Sequence, residues 1–288
     1  MSNTQEREIT LVPYGGLANR MRAIESLVRL IQDADVDGKV VWFKDKGLNS
    51  RFDALFQPLC VPALQIKEAD VPDHVLCDRP RKKNLFIPAL FEHIIYDSCI
   101  YEDNYSKNFD FKQWVLAHQK TYLSSCRIFY QNSAPNIFSI FKPIPHLQDK
   151  IDDLSSSFSE NTIGVHIRRT DHIRCIESSP FELYVEKMKA EIEQNSNTNF
   201  YLASDSAEEK EKLIQLFGNR IITQHAPVLR NTLDGMQDAL VELFVLSKTK
   251  KIFGSPYSTY SLTAAEIGGI EFVDVCKKIH ISKNSYQL

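Results

Sequence analysis

Apolar positions along this chain fall into two registers. Across residues 18–33, Met21, Ile24, Leu27, Val28 and Ile31 recur at helical spacing and give one apolar face. The short apolar runs at 9–13 and 40–43 flank that helix and read as strands, with Tyr14-Gly15-Gly16 as a tight turn between the first strand and the helix. Strand, glycine turn, helix and strand make a βαβ unit. From Thr162 onward the alternation is regular. A β-branched run (Thr162, Ile163, Val165, Ile167) predicts a buried strand, and Pro180 opens a helix with Phe181, Tyr184, Val185, Met188 and Ile192 on one face. Further strands are expected at 200–203, 221–223, 251–253 and 272–275. Helices are expected at 207–217, at 233–246 (apolar almost all round) and after Thr259 to about residue 267.

This alternation predicts an α/β protein whose C-terminal half is a doubly wound parallel sheet. Residues 44–145 are harder to read. Prolines punctuate short apolar runs there, 109–129 looks partly helical, and the stretch reads as an irregular α/β extension that could shape an acceptor pocket. A proline-kinked connector and serine-rich loop at 141–158 marks a boundary, dividing the chain into 1–145 and 146–288.

Composition narrows the function classes. A chain of 288 residues with net charge −3 has no overall attraction for nucleic acid or an anionic membrane, so any anion site must be local. The polar start MSNTQEREIT is not a signal peptide, and no apolar run approaches the ~18 residues of a membrane span. The six cysteines (Cys60, Cys77, Cys99, Cys126, Cys175, Cys276) lack metal-ligand spacing, which fits reduced thiols and a cytoplasmic location. DADVDG (Asp33, Asp35, Asp37, Gly38) begins like a calcium loop, but Lys44 stands where a bidentate Glu is needed. It also precedes its strand, at the edge opposite a ligand crevice, and reads as a solvated turn.

The polar groups with chemical use sit where strands end. HIRRTD (His166, Arg168, Arg169, Asp171), Ser204-Asp205 and GSPYST (Ser255, Ser258, Thr259) all follow apolar strands. In a parallel sheet these ends share one edge. Two adjacent arginines there call for an anion, most simply a phosphate. Alternation lets one reach the ligand while the other braces the wall. Ser258 and Thr259, at a helix start, suit phosphate as well, and Asp205 and Asp238 suit ribose hydroxyls or a guanine edge.

These motifs resemble those of the α1,6-fucosyltransferase superfamily, which includes core N-glycan and Nod-factor fucosyltransferases and, more distantly, protein O-fucosyltransferases. GVHIRRTD, the PFELY helix start, FYLASD and DALVELFVLSK…KIFGSPYSTYSLTAAEIGG carry the resemblance, and GGLANRMRA resembles the family's N-terminal glycine loop. The resemblance implies a GT-B architecture, two Rossmann-like domains facing a cleft, and metal-independent inverting transfer of fucose from GDP-fucose to a glycan hydroxyl with no cofactor. By position, Arg168 and Arg169 would meet the diphosphate, with Arg169 the less replaceable. His166, Ser204, Asp205 and Asp238 would meet ribose or base, Ser255, Ser258 and Thr259 the phosphates, and Asn19 and Arg20 the donor from the N-terminal side. The base would be Glu177 or Asp171, with His172 third. Ala18 stands at the loop's second glycine position, and the stretch after Asp171 is shorter than in the eukaryotic enzymes. The expected partners are a nucleotide-sugar and a glycan, with no nucleic acid and no integral membrane segment. The alternatives are a GT-B transferase for another GDP- or UDP-sugar, or a non-catalytic nucleotide-binding homologue.

Overall fold

Each half of the chain builds a five-stranded sheet whose pairings are all parallel. The computed structural model describes residues 7–135, 137–169, 173–224 and 231–276. The chain divides into two compact units, one of residues 1–144 with 230–233 and the other of 145–229 with 234–288.

In the first unit the order of elements is β1 (Glu8–Pro13), α1 (Leu17–Ala34), β2 (Asp37–Trp42), β3 (Leu64–Glu68), α2 (Val71–Leu76), α3 (Ile87–Ile95), β4 (Ser98–Ile100), α4 (Phe111–Ala117) and β5 (Lys120–Ser125). The strands lie in the order β3-β2-β1-β5-β4. The stretch at 44–145 is therefore not an extension. It supplies three of the five strands, and β5 pairs with the central β1 along its whole length. It was hard to read because its strands are short, as in Ser98–Ile100, and its two helices between β3 and β4 span only six and nine residues. The predicted helix within 109–129 covers only Phe111–Ala117 before the chain turns into β5.

α1 buries nearly all of its length. Met21, Ile24, Leu27, Val28 and Ile31 are in the core, as the helical spacing requires. Gly15 enters the helix at φ +80°, where an added Cβ would sit 3.0 Å from the Asn19 amide nitrogen. That turn needs glycine. At the helix's other end Asp33 accepts bonds from the Tyr130 hydroxyl (2.7 Å) and the Asn132 amide (3.0 Å), so the first acid of DADVDG fastens a loop.

In the second unit come α5 (Pro145–Ser155), β6 (Thr162–Ile167), α6 (Ile173–Ser178), α7 (Phe181–Gln194), β7 (Asn199–Ser204), α8 (Ala207–Phe217), β8 (Ile221–Thr223), α9 (Leu233–Leu246), β9 (Lys251–Gly254), α10 (Thr259–Gly268) and β10 (Glu271–Asp274). Strand order is β10-β9-β6-β7-β8. β6 is buried at every position and lies at the sheet's centre. Its Ile163, Val165 and Ile167 pack with Tyr184, Met188, Phe200, Leu202 and Phe253. This is the α/β architecture that the alternation predicted.

Gly254 closes β9 where the chain must pass beneath the edge of the sheet. A Cβ there would lie 2.3 Å from the Phe272 ring and 2.7 Å from the Ser261 hydroxyl oxygen. Gly254→Ala is expected to destabilise the protein by about 1–3 kcal/mol through overpacking, read as a lowered denaturation midpoint. An unchanged midpoint would mean that β9 and β10 are not held this closely.

Candidate functional site

Sheet register brings three polar segments of the second unit together. His166 pairs with Ala203 of β7 and with Gly254 of β9, and Ile167 pairs with Ser204. The segments after β6, β7 and β9 therefore start side by side at one sheet edge. Short bonds knit them together. The Arg168 amide donates to Ser255 Oγ (3.1 Å), the Arg169 amide to Asp205 Oδ1 (2.6 Å), and Ser204 Oγ to the Ile167 carbonyl (2.8 Å). Tyr184, rising from α7, shares a 2.8 Å bond with Ser255 Oγ.

The two arginines have different surroundings. Arg169 turns inward: Nε donates to Glu209 Oε1 at 2.9 Å, Nη1 to the Arg168 carbonyl and Nη2 to the Ser179 carbonyl at 2.8 Å, and the guanidinium lies over the Tyr184 ring. Its side chain is 11% exposed and that of Glu209 is 15%. Arg169, expected at the diphosphate, is held here by groups of the protein itself. Its charge is matched by a carboxylate of α8, and it braces the loop. Arg168 is half-buried.

Ser204, Ser255 and Arg20, also expected at the donor, are likewise bonded within the protein. Ser204 and Ser255 are buried, and their hydroxyls bond within the sheet edge, so they shape the site from behind. Arg20 lies wholly buried in the first unit, donating to the Gly15 and Phe43 carbonyls, 2.9 Å from Asp45, and stacked on Trp42. It holds the glycine turn. Asn19, half-buried, stands beside that turn.

Ser258 differs from Ser204 and Ser255. It is the N-cap of α10 and is buried, and its hydroxyl hydrogen-bonds to nothing among the described residues. Tyr257 before it has φ +60°, an unfavourable backbone for a bulky residue. The helix N-terminus adds partial positive charge, with Thr259 half-buried at its first position. His166 is buried, with its ring against that of Tyr260.

An acid cluster and one lysine lie nearby. Glu242 of α9 is buried and 3.5 Å from Lys210 of α8. Burial pushes its carboxyl up to about 7 against the pull of Lys210, and the nearby Asp205 and Asp238 add to the rise. Asp205 and Asp238 are thus close enough to Glu242 to repel it. The Lys210–Glu242 pair was missed in the sequence, although Glu242 stands one turn after Asp238 on the polar stripe of an otherwise apolar helix.

Glu177 is exposed on α6. Asp171 and His172 lie outside the described residues. No group of three acidic, histidine or cysteine side chains among the described residues could hold a metal ion. The described cysteines Cys60, Cys77, Cys99, Cys126 and Cys276 are unpaired. A polar depression of about 560 Å³ lies at the opposite, amino edge of the sheet, lined by Asn161, Asn197, Asn199 and Arg220 among others. The Arg220 guanidinium is already engaged by the Ser196 and Thr198 carbonyls, and the depression gathers no reactive group.

The first unit has its own hub at the carboxyl ends of β1 and β5. Asp103 is buried and accepts from Tyr14 (2.9 Å), Ser125 (2.6 Å) and the Cys126 amide (3.2 Å). Burial opposes its ionisation, but the bonds from Ser125, Tyr14 and Cys126 outweigh it and hold the carboxyl below its ordinary value. The only signal for it in the sequence was a polar Glu-Asp-Asn following a short strand.

No protein-family model matches the sequence, and no curated protein does. Solved structures do match. The fucosyltransferase NodZ from Bradyrhizobium aligns with TM-score 0.61 at 16% identity over 91% of this chain and 92% of its own. Arabidopsis thaliana FUT1, solved as a mutant in complex with GDP, gives 0.64 at 13% identity over 97% of this chain and 72% of its own. POFUT1 in complex with GDP gives 0.59 at 12% identity, covering 95% and 99%. No described helix is long and apolar enough to cross a membrane. Two parallel five-stranded sheets with helices between their strands, followed over nearly the whole chain, give this protein the GT-B-type α/β fold of these fucosyltransferases.

Proposed function

We propose that the carboxyl edge of the C-terminal sheet binds GDP-fucose and that the chain transfers fucose to a glycan hydroxyl, inverting the anomeric centre without a metal. The observation that carries this is the junction of the β6, β7 and β9 ends, where an arginine, a helix N-terminus and a buried, unbonded hydroxyl meet. Such a junction suits a diphosphate. The aligned structures support the donor class: NodZ has been solved soaked with GDP-fucose and POFUT1 with GDP.

In this reading Arg168, Ser258 and Thr259 hold the phosphates, while Asp205 and Asp238 accept from ribose hydroxyls or the guanine N1–H and amino group. His166 lines the ribose side. The acceptor oxygen attacks the anomeric carbon and the bond to GDP breaks. Arg168 offsets the charge that appears on the departing phosphate. The acceptor proton passes to a carboxylate, Glu177 or Asp171. Arg169 fixes the direction of Arg168 by tying down the loop they share.

Calorimetric titration with GDP, UDP and ADP tests the base preference: GDP is expected to bind at least about tenfold tighter, and equal affinities would remove the guanine assignment. Ser258→Ala gives a sharper test. Because its hydroxyl has no hydrogen-bond partner among the described residues, the variant should keep its stability and lose about 1 kcal/mol of GDP affinity. Full affinity would show that Ser258 does not face the ligand. Transfer from GDP-fucose across a glycan array, with and without chelator, tests the reaction.

A further inference from the structure

Charged side chains at the start of α8 are used in different ways. Glu208 pairs with Lys212 at the surface, and Glu209 holds Arg169. Lys210, between them in the first turn, reaches the carboxyl end of the neighbouring strand. Its ammonium donates to the carbonyl of Gln224, the residue after β8, at 3.2 Å, and lies 3.5 Å from Glu242 Oε1 of α9. The two side chains are only 12% and 11% exposed.

As a structural ion pair this is a poor one. Charges withdrawn from water regain their desolvation cost only through close geometry and complete bonding. Here the separation is long, and the ammonium has a third N–H beyond these two contacts. Asp205 and Asp238 lie close enough to Glu242 to oppose its ionisation, while Lys210 favours it. Among the described residues one ammonium therefore faces three acids, a surplus of acceptors. The hydroxyl of Tyr201, buried beside Glu242, is in no well-aligned bond either. A ligand that brings a carbonyl next to N–H groups completes such a set.

We propose that Lys210 is a specificity residue for the base, donating to the O6 carbonyl of guanine while Glu242 and the Gln224 carbonyl fix the direction of its ammonium. This rests on GDP being the nucleotide, with Asp205 and Asp238 accepting from the guanine N1–H and amino group. Along that edge guanine presents an acceptor and then two donors, and a cation beside carboxylates is the matching order. Adenine sets an amino group against the ammonium. Uracil sets a second carbonyl against a carboxylate. Each mismatch leaves a largely buried charge unpaired, which is the source of the discrimination.

The test is calorimetric titration of the full chain with GDP, 6-thio-GDP and inosine diphosphate. Sulfur at C6 weakens that acceptor and keeps N1–H and the amino group, whereas inosine diphosphate lacks only the amino group. Wild type is expected to bind GDP about tenfold tighter than 6-thio-GDP. Lys210→Met should lower GDP affinity about tenfold and bring the GDP to 6-thio-GDP ratio to about one, with the GDP to inosine diphosphate ratio unchanged. The double variant Lys210→Met/Glu242→Gln leaves no unpaired carboxylate behind and should give the same 6-thio ratio where the single variant does not fold. A lysine with a purely structural role would weaken all three nucleotides alike and keep both ratios at their wild-type values, which overturns the proposal. So does a wild type that binds GDP and 6-thio-GDP equally while still preferring GDP to UDP and ADP; the guanine assignment then stands without Lys210. Equal binding of GDP, UDP and ADP removes both.

Discussion

Arg168→Ala is expected to lower the rate of transfer by about one to two decades. A charge-assisted bond to phosphate contributes about 1.5–3 kcal/mol, and each ~1.4 kcal/mol is tenfold in rate. Arg169→Ala should behave differently. It strands the Glu209 carboxylate and leaves the Ser179 carbonyl without its donor, both in a largely buried setting. We expect a loss of about 2–3 kcal/mol of stability, or roughly 5–10 °C in Tm, with activity falling because the loop is no longer anchored. Glu209→Gln should share part of that Tm loss, since it weakens the same pair from the other side. Calorimetric melting and kcat for the three variants decide the matter. If Arg169→Ala keeps the wild-type Tm while Arg168→Ala lowers it, the two roles are exchanged.

Glu92→Gln is expected to stabilise the protein at neutral pH and to remove a pH dependence. The wild-type carboxyl is buried on the inner face of α3, with neither oxygen in a well-aligned hydrogen bond. Burial drives it up to about 8 from 4.5; Tyr101 and Tyr122 favour the ionised form too weakly to reverse this, and Asp78 adds to the rise. A folded-state value above the unfolded one means that the folded chain holds the proton more tightly. The contribution is therefore fully present below about pH 4.5, declines as pH rises, and is lost once the group ionises above about pH 8. By pH 7 the loss is about 3 kcal/mol, at about 1.4 kcal/mol per unit. A neutral amide of the same shape avoids that loss. Melting curves of wild type and variant should coincide near pH 4.5 and separate progressively toward pH 8. Parallel curves across that range would mean that Glu92 already reaches water.

Legibility in the sequence varied from one unit to the other for a physical reason. In the second unit the central strands β6 and β7 run six residues and the helices α7, α8 and α9 run 14, 11 and 14, long enough to show their own periods, and the edge where β6, β7 and β9 end could be foreseen because parallel strands must finish together. In the first unit β4 has three residues and the helices before it turn their apolar side outward, so period and burial disagree. A pattern reader expects apolar groups inside, and α3 breaks that rule.

The sequence by itself determined the α/β class, the parallel sheet of the second unit, and which three strand ends carry the polar groups. Those follow from local periods and from the chirality of crossover connections. Only the tertiary structure decided which arginine is held by Glu209, which serines bond inward and which one keeps an unbonded hydroxyl, and that Arg20 locks the glycine turn. Each of these depends on which donor and acceptor come within about 3 Å across elements distant in the chain. That distance is set by packing and carries no local signature.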